Sequence, residues 1–250
     1  MLSAERRQYI LSLLEQQGKV HAGDLARELA VSEDTIRRDL RDLAEAGLIQ
    51  RVHGGALPLS PNPPSYQERE RIGGAEKAAL GAAAAQLVRR GQILILDAGT
   101  TTLAVAQHLP ESLEATVITN SPPIAVALAS HPKVEVVLLG GRLMKEARAT
   151  VGVTVVEELE RVRADLCFLG VCSVHPTGIA TWDREEAQVK RAMIASAAEV
   201  VALAPTDRVG TSAPFIVAPV RELTHLVVPE RVPEGQLAPY REAGITILRA

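Results

Sequence analysis

Near the start of the chain, apolar positions recur at helical spacing in three short runs. Ile10, Leu13 and Leu14 form the first stripe, and Gly18 offers a left-handed stop. The run "HAGDLARELA" puts Leu25, Ala26 and Leu29 on one face of a two-turn helix. Ser32 then reads as an N-cap, with Glu33 and Asp34 in the first turn where the helix dipole favours them. Ile36, Leu40 and Leu43 make the buried stripe of a third helix that Gly47 ends. Leu48, Ile49 and Val52 are strand-like, and Gly54-Gly55 permits a tight turn before Ala56 and Leu57. Three short helices followed by a hairpin predict a winged helix-turn-helix domain over residues 1–58. The periodicity breaks at "LSPNPPSYQ", where Pro61, Pro63 and Pro64 suit neither a helix interior nor a central strand. A linker over 59–74 is expected.

From residue 75 to 250 the pattern alternates. Apolar runs such as "ILIL", "ATVIT", "VEVVLL", "ADLCFLGV" and "EVVALA" are separated by segments of helical period such as "VTVVEELERV" and "EEAQVKRAMIASAA". Near-continuous apolar strands between helices predict an α/β domain whose mostly parallel sheet is covered on both faces.

Composition narrows the possibilities. Formal net charge is −3, and residues 1–57 hold eight Lys/Arg against nine Asp/Glu, so any nucleic-acid contact must come from a local patch. Aromatic residues are 2% of the chain, which argues against a single-strand binder built on stacked rings. Two cysteines, Cys167 and Cys172, exclude a disulfide scaffold and are too few for a soft metal site, so no metal or cofactor is expected. The charged start "MLSAERRQYI" and the absence of a long apolar run suggest a cytoplasmic protein.

Two stretches carry candidate chemistry. On the third helix the core stripe leaves Asp34, Arg37, Arg38, Arg41 and Glu45 facing outward, with Thr35 near its start and Arg51 and His53 at the glycine turn. Arginine's planar fork suits guanine edges and phosphates, although a mixed-charge helix face is commonplace. The second stretch is "LILDAGTTT", an apolar strand running into Asp97, then Gly99, then Thr100, Thr101 and Thr102 at a helix start. Hydroxyls beside exposed N–H groups make an anion site for which phosphate is the natural guest; an N-capping threonine is the plainer reading. Asn120-Ser121, Gly140-Gly141 and Gly170 follow other strands, where ligands of open α/β sheets collect. No G-x-x-x-x-G-K-[ST] and no G-x-G-x-x-G after a strand is present.

The stretches "DLARELAVSEDTIRRDLRDLAEAGLIQRVHGGA", "ILILDAGTTT", "ADLCFLGV", "GIATWDREEAQVKRAMIASA" and "VVALAPTDRVG" resemble the DeoR family of bacterial transcriptional regulators over nearly the whole chain. The resemblance implies a recognition helix bearing Arg37 and Arg38, with Ser32, Thr35, Arg41, Arg51, His53 and Gly54 as further contacts to a double-stranded operator. It implies a sensor domain similar to ribose-5-phosphate isomerase that binds a phosphorylated sugar. Asp97, Gly99, Thr100 and Thr101 would take the phosphate end, and Asn120, Gly141, Asp165, Gly170 and Lys190 would lie around the sugar. A repressor of sugar-metabolism genes, acting as a homodimer or homotetramer, is the implied function. One departure stands in "APTDRVG": Pro205 replaces an expected Asp and Arg208 an expected Lys. Arg208 keeps a cation for the phosphate; Pro205 removes a carboxylate and a backbone donor. An isomerase with an added DNA-binding segment would need a proton-accepting group where Arg208 stands, and a guanidinium cannot serve. A constitutive DNA binder with a purely oligomerising second domain is the other alternative.

Overall fold

The structure is a computed structural model that describes residues Leu2–Ala250. The N-terminal head comprises α1 (Ser3–Gln17), β1 (Val20–His21), α2 (Ala22–Glu28), α3 (Glu33–Glu45), β2 (Ile49–Val52) and β3 (Gly55–Pro58). Its core is the stripe expected from the sequence: Ile10, Leu14, Leu25, Ile36, Leu40 and Leu43 are buried together with Ile49 and Ala56. The two-residue strand β1 was not anticipated. It pairs antiparallel with β3, making the sheet order β1-β3-β2. Two glycines permit this. Gly54 turns the hairpin at φ +80°, and a Cβ on Gly55 would lie 1.9 Å from the Val20 carbonyl oxygen.

Within the expected linker the chain forms a helix, α4 (Tyr66–Arg71), capped reciprocally by Ser65 and Glu68. It is docked rather than free. Tyr66 is 1% exposed, its N–H donates to the Glu146 carbonyl (2.9 Å), and Arg148 stacks over its ring at 4.7 Å.

The larger domain continues with α5 (Gly74–Ala85), β4 (Ile93–Leu96), α6 (Thr100–Gln107), β5 (Ala115–Thr119), α7 (Pro122–Leu128) and β6 (Val134–Leu138). A hairpin follows, β7 (Arg142–Met144) and β8 (Ala149–Val151), then α8 (Val153–Glu160) and β9 (Ala164–Gly170). Next come β10 (Ser173–His175), β11 (Gly178–Thr181), α9 (Arg184–Ala195), β12 (Ala197–Leu203), β13 (Phe215–Ala218), β14 (His225–Val228), α10 (Glu234–Glu242) and β15 (Thr246–Arg249). Seven strands form one wholly parallel sheet in the order β15-β14-β12-β9-β4-β5-β6. Its two faces are buried in separate cores. One contains Leu80, Leu94, Val105, Ile124 and Phe168; the other contains Ile95, Val155, Cys167, Leu169, Met193 and Tyr240. Alternate residues of β4 and β9 thus enter opposite layers, which is why these strands read as continuous apolar runs.

Strand order reverses between β4 and β9: from β4 the chain builds outward through β5 and β6, and from β9 through β12, β14 and β15. The crevice beyond the carboxyl ends of β4 and β9 is therefore the topological switch point. An antiparallel sheet, β10-β11-β13, lies outside the main one. It was not read from the sequence. It meets the head: His175 is buried, and its imidazole pKa is lowered by burial and by nearby Lys19, against a hydrogen bond with the Gly18 backbone.

Candidate functional site

In the head, α3 presents its polar face to solvent. Ser32 caps the helix, accepting from the Thr35 N–H (3.2 Å), and the two hydroxyls meet at 2.9 Å. Arg37, Arg38 and Arg41 are exposed, as are Arg51, His53 and Gly54 in the β2–β3 hairpin. The hairpin is fixed to the helices, since Ala22 N donates to the Gly54 carbonyl (2.8 Å). The arginines differ in their surroundings. Arg37 is paired along its own helix with Glu33 (2.7 Å) and Asp34 (3.7 Å). Among the described residues, Arg38 and Arg41 have no ion-pair partner, so binding a phosphate or base edge there breaks no existing pair.

The sequence reading missed what orients this helix. Asp39, one residue past Arg38, is buried and accepts from Arg6 Nε of α1 at 2.5 Å. Ser3 Oγ reaches its other carboxylate oxygen at 3.3 Å. The pairing raises the Arg6 pKa, chiefly through the hydrogen bond to Asp39. This bolt between α1 and α3 fixes the direction in which Arg38 and Arg41 point.

In the larger domain a cleft of about 830 Å³ opens at the switch point. Gly99, Thr100, Thr101, Gly170, Lys190 and Arg208, six of the expected effector residues, line it. Asp97 lies beneath them, 2% exposed. Its Oδ2 accepts from Lys190 Nζ and from the Gly170 N–H (3.1 Å), and Lys190 also donates to the Gly170 carbonyl (2.9 Å). Burial raises the Asp97 pKa, with Lys190 and the Gly170 N–H pulling the other way. Burial would likewise lower Lys190, but Asp97 and Glu186 outweigh it and hold the ammonium above its ordinary value. Asp97 and Lys190 therefore clamp the ends of β4 and β9 together, and Lys190 is a fixed charge rather than a proton acceptor. The N–H groups of the first turn of α6 have no intrahelical partners.

Three expected residues stand elsewhere. Asn120 is 2% exposed and bonded at both ends of its amide: its Oδ1 accepts from Ala98 N (3.0 Å) and its Nδ2 donates to the Thr150 carbonyl (3.0 Å). It shapes the Asp97–Gly99 loop from behind and does not line the cleft. Gly141 serves packing, since a Cβ there would lie 2.8 Å from both the Val151 oxygen and Val155 Cγ2. Asp165 is a correction. It is the second residue of β9, whereas the cleft lies past the last residue of that strand, roughly 16 Å away at ~3.3 Å per residue. Its carboxylate is exposed and accepts from Ile93 N (2.7 Å) at the opposite end of the sheet.

The linker segment supplies a wall that the sequence reading did not foresee. Pro61, Pro63, Arg69 and Gly73 of that segment line the cleft, as do Glu76 and Lys77 at the start of α5, Glu186 and Arg231. Arg231 pairs with Glu76, and Arg208 with Asp207 (3.2 Å). Lys77 donates to the carbonyls of Arg69 and Ile72 (2.6 Å to the latter), and burial lowers its pKa. Arg69 has no ion-pair partner among the described residues, and its buried Nε has no hydrogen-bond partner. The capping box at Ser65–Glu68 is the sequence signal that could have placed this wall on a helix.

Among the described residues no helix is long and apolar enough to cross a membrane. Comparison with known proteins gives two family matches. Residues 6–62 match a DeoR-like helix-turn-helix domain and residues 73–230 a DeoR C terminal sensor domain. The chain is 37% identical over 235 residues to the HTH-type transcriptional repressor GlcR of Bacillus subtilis, covering 93% of this chain and 90% of that one. It is 31% identical to the glycerol-3-phosphate regulon repressor of Escherichia coli over 85% of each chain. Among solved structures, ribose 5-phosphate isomerase A of Methanocaldococcus jannaschii aligns with a TM-score of 0.39 and 18% identity, over 53% of this chain and 52% of that one. The two domain matches and the full-length relatives place the chain in the DeoR family of transcriptional regulators.

Proposed function

We propose that the protein is a repressor whose head reads a double-stranded operator and whose cleft takes a phosphorylated sugar that lowers operator affinity. α3 enters the major groove, with Arg38 and Arg41 as principal contacts and Ser32, Thr35, Arg37, Arg51, His53 and Gly54 around them. A single head reads few base pairs, so the working species is a homodimer or homotetramer held by the larger domain. Exposed Val137 and Leu138 on the edge strand β6 support that assignment.

One observation carries the ligand class. The first turn of α6, with Gly99, Thr100 and Thr101, lines the same cleft as Arg69, a cation without a carboxylate partner among the described residues. A helix N-terminus and a guanidinium in one cleft suit a phosphate group. The remaining cleft, with Lys190, Glu186 and backbone polar groups, has room and hydrogen-bonding capacity for a sugar. The glycerol-3-phosphate regulon repressor among the relatives supports a phosphorylated polyol.

The test is operator titration and thermal unfolding of wild type and Thr100→Val with glucose 6-phosphate, fructose 6-phosphate, glycerol 3-phosphate and inorganic phosphate. At a hundredfold excess over its dissociation constant the true ligand stabilises the wild type by about 2.7 kcal/mol. It also weakens operator binding, and Thr100→Val loses both responses while keeping operator affinity. Absence of any response in the wild type would favour a constitutive binder, the reading to which Pro205 in the cleft wall points.

A further inference from the structure

The strand leaving the head does not pass into a free tether. Ser60 N donates to the Ser212 carbonyl (2.8 Å), Ser212 N donates to the Pro58 carbonyl (2.8 Å), and Leu59 bridges Ser212 in parallel register. Ser60 is 1% exposed, and its hydroxyl donates to the Cys172 carbonyl. Arg208 closes this stitch with a single nitrogen. Its Nη1 donates to Ser60 Oγ (2.9 Å), the Pro61 carbonyl (2.7 Å) and the Cys172 carbonyl (3.3 Å). Arg208, Pro61 and Cys172 all also line the cleft. One guanidinium therefore belongs to both the fastening of the head and the wall of the ligand cavity.

We propose that the exit strand of the head and an anionic cleft ligand compete for Arg208, so that occupancy of the cleft unfastens the head from the larger domain. This rests on reading the cleft as an anion site. All three acceptors now held by Nη1 are neutral, and the one charged partner of the guanidinium, Asp207 at its Nε (3.2 Å), is exposed and lies outside the fastening of the head. A phosphate offers the same guanidinium two parallel, charge-assisted bonds, which are about twice as strong as neutral ones. Once Arg208 turns to the ligand, Ser60 and Pro61 lose their tie to it, and the exit strand is held by the backbone bonds with Ser212 and the Ser60 hydroxyl's bond to the Cys172 carbonyl. A head that samples more orientations meets its half-site at a lower effective concentration. Linkage makes the effect reciprocal: whatever loosens the fastening raises anion affinity by the same factor that it costs the fastened state.

Ser60→Ala tests this in the full-length protein. The substitution removes one Arg208 acceptor together with the hydroxyl's own bond to the Cys172 carbonyl, both part of the fastening, and Ser60 does not line the cleft. The probes are glucose 6-phosphate, glycerol 3-phosphate and inorganic phosphate. Ser60→Ala is expected to speed amide hydrogen exchange at position 60 and at Ser212 and to lower anion-free operator affinity by about fivefold or more, with a matching rise in affinity for the responding probe. Arg208→Gln is expected to lower operator affinity and anion affinity together, because it removes the group that both partners use. This opposite split separates competition from general damage to the fold. Wild-type anion response with unchanged operator and anion affinities in Ser60→Ala overturns the proposal. So does slower exchange at Ser60 when the anion binds. Failure of the underlying anion reading looks different: no probe shifts melting or exchange in the wild type, and the competition falls with it.

Discussion

Asp39 occupies the same helix as Arg37, Arg38 and Arg41 but faces the opposite way, into Arg6. The two neighbours at 38 and 39 therefore have separable roles. Asp39→Ala leaves a buried guanidinium unpaired and is expected to cost about 3–5 kcal/mol, read as an earlier urea unfolding midpoint for the head. Arg38→Ala should leave that midpoint in place and weaken a selected operator by about 1–3 kcal/mol. Equal effects of the two substitutions on stability would contradict this division. The sequence showed the outward arginines because the stripe of Ile36, Leu40 and Leu43 fixes the inward face. It did not show the bolt, because the Arg6 partner of Asp39 comes from another helix, 33 positions away, and a buried carboxylate looks like any surface charge. Asp165 illustrates the converse. It is the second residue of β9 and Gly170 is the last, so strand polarity alone separates them; the family likeness groups them in one site.

At the scale of elements, α4 shows how strong local punctuation can hide a short helix. Three prolines precede it and Gly73-Gly74 follow it, so the segment reads as a tether. A six-residue helix has little stability of its own. What holds it is Tyr66 in the fold and the Arg148 guanidinium over its ring, neither visible from periodicity. The Tyr66 hydroxyl is buried without a protein partner, and burial pushes its pKa up to about 12. Tyr66→Phe is therefore expected to leave stability unchanged or raise it by up to about 1 kcal/mol, whereas Tyr66→Ala should cost about 3–5 kcal/mol. Chemical denaturation of the three proteins decides; a large loss in Tyr66→Phe would show that the hydroxyl is bonded. The parallel strands were legible because each is buried on both sides. The β10-β11-β13 sheet was not, since its strands are three or four residues long and pair across intervening helix α9 and strand β12.

Across the whole molecule, head and larger domain are joined through three places: the Ser212 bridge, the Arg208 contacts, and His175 beside Gly18 and Lys19. Domain succession could be read from the chain, because the change from short helices to alternating strands is abrupt. The joint could not, because it pairs residues such as Ser60 and Arg208 that lie 148 positions apart. A head sewn to its sensor at several points cannot swivel to meet DNA where it happens to lie. In the proposed oligomer the angular phase between the two half-sites would then be dictated by the protein, and the operator would have to match it. Inserting roughly 5 bp between half-sites, about half a helical turn, should abolish tight binding, and inserting roughly 10 bp should not restore it fully. The same insertions should be better tolerated by Ser60→Ala, whose heads are less firmly set. Gel-shift titrations on such a spacer series would expose the joint as a ruler laid along the DNA.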